Sequence, residues 1–426
     1  MAEQGTERSK PTTDFLMRMK AEGSKIVPTI ERFTRVLEEN YDGIIRLNEM
    51  TGKVEYCADG ESWREWTDAQ ESGLRSWFQS SIGMYNAPMM QDAMNVFFES
   101  RKANPLLEIL NSLQWDGVQR MEHFLHEVAR VPDDRYHREV SRLLFAGGVW
   151  RAFKPGCKFD DVVVLTGSQG SGKSTIVRLL NMDDEYFREI KIITGKEGIE
   201  GLRGAWIAEM AELMAMTRVK ETETVKAFIT TQADSYRPPY ARNVITIPRR
   251  CIFIGTTNNC QFLTDRTGNR RFYPVNVQSS GRDILRRETE IREYIRQCWA
   301  EAVALYKAGK LQPFASFDLI DIFRQQQEGA MEDDWRIGAI EQYLMINKPR
   351  IGDTVSVIEL WHRALNEPEE SKPQRKDSIE ITQIMLQMAN WERAQRPMRS
   401  PIWGLQRVFV KISPENLIKE EVVTAR

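Results

Sequence analysis

The chain has 426 residues, of which 41% are hydrophobic and 28% are charged, and its formal net charge at pH 7 is −2. This length exceeds that of one typical domain, so we expect two or three domains. The composition is that of a folded globular protein and excludes a largely disordered chain. The near-neutral charge excludes a surface that is basic throughout, although a narrow basic channel is still compatible with it.

Five cysteines are present, and none belongs to a Cys-x-x-Cys pair. A disulfide framework or zinc ribbon is therefore not expected, and a reducing cytosol fits the sequence. The apolar runs are too short to cross a bilayer, which predicts no membrane segment. His123 and His126 lack an accompanying acid or cysteine pattern, so we interpret them as ordinary helix residues.

Residues 1–25 are polar and have no hydrophobic period, which predicts a flexible tail. The region 26–150 predicts a mostly helical N-terminal domain that begins with a β-hairpin. The hairpin is indicated by β-rich runs at Gly43–Asn48 and Lys53–Cys57, which flank a glycine-containing turn. The helices predicted after it are 67–78, 88–102, 105–113, 119–129 and 134–153.

Between residues 151 and 315, short β-rich runs alternate with helical patterns, and this alternation predicts an α/β core. A long amphipathic helix at 284–308 is predicted to close the core. The strand candidates are 161–166, 204–209, 243–247, 251–256 and 271–277.

The last region, 330–426, predicts a winged-helix-like domain, because helices are followed by a β-ribbon. The ribbon is basic and carries one acid, so we expect it to contact duplex or origin DNA. The predicted helices are 334–346, 355–365 and 377–390, and the predicted strands are 391–395 and 403–411. The basic residues are Arg393, Arg396, Arg399, Arg407 and Lys411, and the acid is Glu392.

The first core strand is followed by a segment that matches the phosphate-loop pattern GxxxxGK[ST] in full. Glycines allow backbone N–H groups to turn towards a polyphosphate, and the helix that follows adds the positive end of its dipole. Lys173 would reach the β- and γ-phosphates of ATP, and the Ser174 hydroxyl would bind Mg²⁺. A chance glycine-rich loop is the alternative. The predicted ATP-binding residues are Gly167, Ser168, Gln169, Gly170, Ser171, Gly172, Lys173, Ser174 and Thr175.

Hydrolysis also requires a carboxylate at the end of a neighbouring strand. Glu209 ends the apolar run 204–209, and Glu212 follows about one helical turn later. We predict catalytic roles for both acids and a metal contact for Glu209, and which acid activates water stays open. An amphipathic helix with exposed glutamates is the alternative.

Asn258 follows the strand 251–256, where its amide could hold the attacking water or the γ-phosphate, although asparagine after a strand is often only a turn residue. Arg270 and Arg271 come shortly afterwards, and a guanidinium can neutralise charge on a transferring phosphoryl group. If either arginine acts on another subunit, activity requires a ring. A surface salt bridge is the alternative for each arginine.

No acidic residue occurs from Ser235 to Thr264, and Tyr240 lies between arginines in that segment. Such a mixture suits a stiff hairpin tip that contacts nucleic acid, and it equally suits a structural turn with surface arginines. Lys226, just upstream, is also compatible with a salt-bridged helix residue. The arginines of the acid-free segment are Arg237, Arg242, Arg249 and Arg250.

Taken in order, these motifs resemble the virulence-associated protein E family of phage and mobile-element proteins. The resemblance covers about residues 150–280 well and is weaker on both flanks. That family is similar to the superfamily 3 helicases, whose ring-shaped AAA+ motors act in phage and viral replication. The motifs that carry the resemblance are Gly167–Thr175, Trp206–Glu212, Lys226–Arg242, Pro248–Arg250, Gly255–Asn258 and Thr267–Phe272.

The resemblance implies ATP and Mg²⁺ as cofactors and an AAA+-like core. It implies that Asn258 is the sensor, that Arg270 or Arg271 is the arginine finger, and that the segment 226–242 grips single-stranded DNA in a central pore. The residues that would contact this strand are Lys226, Arg237, Tyr240 and Arg242.

The function implied is that of a hexameric, ATP-dependent DNA helicase or translocase in the cytosol of a bacterial host. Two alternatives stay open. One is an ATP-switched replication initiator or loader that binds DNA, and the other is a small-molecule kinase that uses the same loop. Residues 1–150 show no acidic metal-binding constellation, so primase activity is not predicted.

Overall fold

The computed structural model describes residues 27–82, 85–211, 219–237, 243–263, 269–331, 335–388 and 390–412. The chain divides into two compact units, Met1–Met331 and Glu332–Arg426. In the described part, no helix is both long enough and apolar enough to cross a membrane.

The first unit begins with a small sheet of strand order β3-β2-β1-β4. Strands β1 and β2 pair antiparallel, which confirms the predicted hairpin. The helices beside them bury a separate aromatic core, in which the rings of Phe33 and Phe78 lie 5.1 Å apart. Helix α1 was missed by the sequence analysis. The bounds are α1 Ile30–Tyr41, β1 Ile45–Asn48, β2 Val54–Tyr56, β3 Arg64–Glu65, α2 Asp68–Trp77, α3 Ala87–Glu99 and β4 Lys102–Ala103.

The helices that follow pack against the central sheet and share its hydrophobic core. They are α4 Pro105–Ser112, α5 Phe124–Ala129 and α6 Arg135–Phe153; α4 and α6 are close to their predicted positions, whereas α5 begins five residues later than predicted. Gly148 of α6 allows a close approach, because a Cβ there would lie 2.9 Å from Cζ3 of the buried Trp299. The predicted domain boundary at residue 150 stays a prediction.

The central sheet is parallel and has the strand order β11-β5-β10-β7-β6. With helices packed around it, it confirms the predicted mixed α/β class. The predicted strand 204–209 is displaced by a few residues, and β6 was missed because it is very short. The bounds are β5 Val162–Thr166, β6 Phe187–Glu189, β7 Ile207–Ala211, β10 Ile252–Thr256 and β11 Phe272–Asn276.

An antiparallel hairpin of β8 and β9 precedes β10. The predicted long helix at 284–308 is wrong in one respect, since Arg287 interrupts it and two helices result. The bounds are α7 Lys173–Leu180, α8 Gly195–Gly201, α9 Val219–Thr230, β8 Ala233–Tyr236, β9 Ile245–Pro248, α10 Gly281–Arg286, α11 Glu288–Lys307 and α12 Ile320–Gly329.

The second unit contains a sheet of order β12-β16-β13 and the separate ribbon β14–β15. Its helices are close to their predicted positions. Strand β12 was missed, and it lies between the first two helices of this unit. The bounds are α13 Trp335–Asn347, β12 Thr354–Ser356, α14 Val357–Arg363, α15 Arg375–Gln387, β13 Trp391–Arg393, β14 Met398–Ser400, β15 Gly404–Gln406 and β16 Val408–Lys411.

Candidate functional site at the carboxyl edge of the sheet

The glycine-rich loop joins β5 to α7 and depends on backbone angles that glycine adopts readily. Gly167, Gly170 and Gly172 have φ values of 137°, 83° and 92°. A Cβ at Gly167 would lie 2.8 Å from Val277 O, and one at Gly172 would overlap the side chain of Ile284. The loop conformation therefore requires glycine for its backbone angles and for its packing.

A segment after β11 fixes the loop from the side. Gly281 N donates to Gly170 O at 2.8 Å, and Ser279 Oγ donates to Ser171 O at 3.0 Å. A Cβ at Gly281 would lie 2.9 Å from Gly170 O, so a larger residue could not approach as closely. Ser279 and Gly281 could not be identified from the sequence, because their role depends on a contact more than 100 residues away in the chain.

Lys173 begins α7 and is only 8% exposed. Its Nζ donates to Gly167 O at 2.8 Å and to Ser168 O at 2.9 Å. It also contacts Asn258 Oδ1 at 3.0 Å and Ser171 Oγ at 3.3 Å. Burial lowers the pKa of Lys173 below its usual value. The ammonium thus lies inside the loop, in contact with the predicted sensor amide.

Glu209 is 2% exposed and accepts two short hydrogen bonds at a single oxygen, Oε1. Ser174 Oγ donates to it at 2.6 Å, and Thr256 Oγ1 also donates at 2.6 Å. The two residues predicted as metal contacts, Ser174 and Glu209, are therefore in contact with each other, although β10 lies between β7 and the strand that leads into the loop. Thr256 was not identified from the sequence.

The strand order explains why these residues meet. Strand β10 lies between β5, which leads into the loop, and β7, which carries Glu209. Asn258 follows the end of β10, and in a parallel sheet all carboxyl ends lie at one edge. The structure therefore brings together Lys173, Ser174, Glu209 and Asn258, which we call the phosphate-site cluster.

Arg270 and Arg271 are not part of this cluster. They precede β11, whose first residue, Phe272, pairs with Val162 at the start of β5, so they lie at the amino edge of the sheet. A five-residue strand spans roughly 16 Å, which separates the arginines from Lys173 of the same subunit. Arg271 Nε pairs with Asp160 Oδ2 at 3.1 Å, whereas Arg270 is exposed.

A hairpin of β8 and β9 lies in the predicted segment, with Arg237 exposed directly after β8, and its contact with DNA stays a prediction. Lys226 on α9 is 6% exposed, and its Nζ lies 3.2 Å from Glu223 Oε1. Contact between Lys226 and DNA would require it to leave this pair. Arg249 is also buried, so part of the acid-free basic segment stabilises the fold and does not face solvent.

A family model, the virulence-associated protein E-like domain, matches residues 110–332, more than half of the chain. The chain belongs to this family. Two apo structures of the NrS-1 C terminal region cover 89% of this chain and 98% of their own, with TM-scores of 0.47 and 0.49 and sequence identities of 13% and 12%. Similarity at that level adds no argument about function. No curated protein matches the chain.

The phosphate-site cluster and the β8–β9 hairpin both lie within the matched VapE-like domain. Three predicted residues, Glu212, Tyr240 and Arg242, fall outside the described residues. The roles predicted for Gln169 and Thr175, as for the rest of the loop, stay predictions.

The side-chain oxygens near the loop that could ligate a metal are compatible with Mg²⁺. A serine hydroxyl and a carboxylate in hydrogen-bond contact, Ser174 and Glu209, are hard ligands of the kind that Mg²⁺ prefers when phosphates and water complete its shell. Within the described residues, no group of three or more histidine, cysteine and acidic side chains could hold a metal by itself. Binding of Mg²⁺ or of a nucleotide at Ser174 and Glu209 stays a prediction.

Asp161 lies beside the arginine pair at the amino edge of the sheet. The pH dependence of the stability of the fold tests the surroundings of this residue. Burial raises the pKa of Asp161 from 3.8 to about 6, and neighbouring Asp160 adds to the rise, while the hydrogen bond from Tyr273 opposes it. The folded state therefore binds this proton more tightly than the unfolded chain. The stability that Asp161 contributes is full below about pH 4 and is lost as the pH rises through about 6.

We therefore predict that Asp161→Asn stabilises the protein by about 1–3 kcal/mol near neutral pH and by little at about pH 4. Asparagine keeps an oxygen that can accept from Tyr273 but has no charge to desolvate. Urea unfolding of the variant and the wild type at both pH values measures the difference. An equal difference at the two pH values would contradict this account of Asp161.

Proposed function

We propose that this VapE-like protein is a P-loop ATPase with an AAA+-like core that moves along single-stranded DNA as a helicase or translocase. It would act as a ring, in phage or mobile-element replication, in the cytosol of a bacterial host. The observation that carries the proposal is the phosphate-site cluster. A basic loop lysine, a hydroxyl, a buried acid and an amide meet beside the amino terminus of α7.

ATP binding would replace the present contacts of the Lys173 ammonium with contacts to phosphate oxygens. Its ammonium now binds the carbonyl oxygens of Gly167 and Ser168, and phosphate oxygens are stronger partners for a buried cation. The N–H groups of the loop and of the first turn of α7 would bind the remaining phosphate oxygens. Burial of Lys173 strengthens these electrostatic contacts, because fewer water molecules screen them.

Ser174 and Glu209 would hold the metal side of the nucleotide. When bound, Mg²⁺ neutralises charge on the β- and γ-phosphates. Thr256 donates to Glu209 Oε1 and so fixes the orientation of this carboxylate. Asn258 reaches the Lys173 ammonium through Oδ1, a position from which its amide can orient a water molecule towards the γ-phosphate. Glu212 is our candidate for the group that accepts a proton from that water.

The β8–β9 hairpin would contact the DNA strand. Arg237, Tyr240 and Arg242 lie at or beyond the end of β8, where guanidinium groups can bind phosphates and the aromatic ring can stack on a base. The hairpin leads through Arg249 directly into β10, and the far end of β10 is followed by Asn258. This continuity supports a link between strand binding and the hydrolytic site.

Phosphate release from ATP, measured with and without single-stranded DNA, tests the proposal. We expect the wild type to be stimulated by DNA. Lys173→Ala should lose about 100-fold or more of its hydrolysis, because the phosphate charge is no longer neutralised. Arg242→Ala should keep its basal rate and lose the stimulation.

Arg324→Ala is the matched control, because Arg324 is an exposed arginine that pairs with Asp321 away from the hairpin. It should behave as the wild type does. Hydrolysis that is indifferent to DNA would contradict the motor and favour a kinase. Tight, site-selective duplex binding with slow hydrolysis would instead favour an initiator or loader.

The arginine pair supports assembly into a ring. Arg270 is exposed at the amino edge of the sheet and is too far from Lys173 of its own chain to assist hydrolysis there. Arg271 is held by Asp160 and is less accessible. We therefore assign Arg270 as the group that would reach the nucleotide of a neighbouring subunit, with Arg271 as its support.

A mixing experiment tests this assignment. Lys173→Ala and Arg270→Ala should each be inactive alone. In an equal mixture, about a quarter of the interfaces would combine an intact Lys173 with an intact Arg270 from the neighbour, so activity should partly return. A mixture that stays inactive, although the variants assemble as the wild type does, would contradict a role in trans.

The second unit would contact duplex DNA through its basic strands. Arg393, Arg396, Arg399 and Arg407 are all exposed, and none of them forms an ion pair with another described residue. Ile402 and Leu405 of the β14–β15 ribbon are each 69% exposed. Arginines beside an apolar ribbon tip suit a DNA groove, in which phosphates bind the cations and bases contact the apolar groups.

The combined change Arg399→Ala and Arg407→Ala should weaken duplex binding at every sequence. It should also reduce the salt dependence of log Kd by about 1 for each arginine, because fewer counterions are released. Fluorescence anisotropy over a salt series measures both effects. The control is Arg363→Ala, at an arginine of the same unit that pairs with Glu369. Unchanged salt dependence in the double variant would exclude this surface.

A further inference from the structure

Arg151, near the end of α6, is an arginine whose burial is not explained by packing. It is 1% exposed, and its guanidinium donates to Phe159 O at 2.9 Å and to Arg249 O at 3.3 Å. Among the described residues, its Nε has no hydrogen-bond partner. Burying a cation against carbonyl oxygens is costly, and an apolar side chain would fill the same space without desolvating a charge.

On one side, Arg151 contacts the base of the β8–β9 hairpin. Arg249 binds both carboxylate oxygens of Asp234, the second residue of β8, at 2.6 and 2.8 Å. Gly156 N donates to Arg249 O at 2.8 Å, beside the contact from Arg151. A displacement of the hairpin base would therefore move the carbonyl that Arg151 holds.

On its other side, Arg151 contacts a segment that lies beside the Arg270–Arg271 pair. Phe159, whose carbonyl accepts from Arg151, is bonded to Asp160 in the chain. The carboxylate of Asp160 in turn holds Arg271 Nε at 3.1 Å, next to Arg270. Arg151 thus bridges two segments that are remote in sequence, one carrying the hairpin base and the other holding the arginine pair.

We propose that Arg151 is a positioning residue that transmits strand binding at the β8–β9 hairpin to the Arg270–Arg271 pair. Because that pair would serve the next subunit, DNA bound by one subunit would accelerate hydrolysis in its neighbour. This inference rests on the proposed function. Strand β10 offers a different route, from Arg249 to Asn258 of the same subunit, and the two routes make opposite predictions for mixed rings.

The first test is Arg151→Lys, which keeps the charge but cannot bridge two carbonyls with the fixed geometry of a guanidinium. We expect basal hydrolysis and single-stranded DNA affinity within about twofold of the wild type, and a loss of about fivefold or more in stimulation by DNA. Arg142→Lys is the matched control. Arg142 lies on the same helix and also donates to two carbonyls, Gln312 O and Phe314 O, away from the hairpin.

Stimulation that Arg151→Lys retains, or that Arg142→Lys loses equally, overturns the inference. A wild type without stimulation would contradict the proposed function itself, so the two failures are distinguishable. The double variant Arg151→Lys with Asp160→Asn gives a second criterion. If both residues act in one path, its loss should be no greater than that of the more impaired single variant. Additive losses would contradict a shared path.

Rings assembled from two different variants show whether the effect of DNA passes to the neighbouring subunit or stays within one subunit. When Lys173→Ala and Arg270→Ala subunits are combined, the active sites belong to the Arg270→Ala subunits and the assisting arginine comes from the Lys173→Ala subunits. Adding Arg151→Lys to the Lys173→Ala subunit should reduce stimulation by about fivefold or more, whereas adding it to the Arg270→Ala subunit should leave stimulation unchanged. The reverse result would assign the effect to the β10 route and overturn transmission between subunits.

Discussion

A single buried carboxylate oxygen connects the elements around the phosphate loop. Glu209 Oε1 accepts from Ser174 on α7 and from Thr256 at the end of β10, both at 2.6 Å, while Glu209 itself belongs to β7. A carboxyl group at this depth is stable only when hydrogen-bond donors satisfy its oxygens. The requirement fixes the helix and two strands relative to one another, and the position of Asn258 after β10 follows from it.

The glycine-rich loop was predictable from sequence because its pattern is local. The glycines, Lys173 and Ser174 lie within one short segment, and their spacing alone determines what the backbone can do. The alternation of strands and helices predicted the α/β class for the same reason. Short elements such as β6 and β12 carry too few residues to show a period. Helix α1, in contrast, has apolar residues at helical spacing, Ile30, Phe33 and Leu37, and this signal was overlooked.

The rest of the site depends on contacts between residues that are distant in sequence. Asp160 and Arg271 are 111 positions apart, so nothing in either segment indicates the pair. Arg249 lies in the acid-free segment that predicted a DNA surface, but its partner Asp234 is located one residue before that segment begins. The charge pattern along the chain indicated the basic segment. It could not show which arginines of that segment would pair with acidic side chains.

Strand β11 connects features that lie at opposite edges of the sheet. Arg271 directly precedes its first residue, and Val277 and Gly281, shortly after its end, pack against the phosphate loop. A β-strand has a nearly constant rise per residue, so the five residues of β11 set the spacing of these features along the strand direction. The same strand thus sets the separation between the arginine pair and the loop of one chain, and a change in its length would alter their spacing.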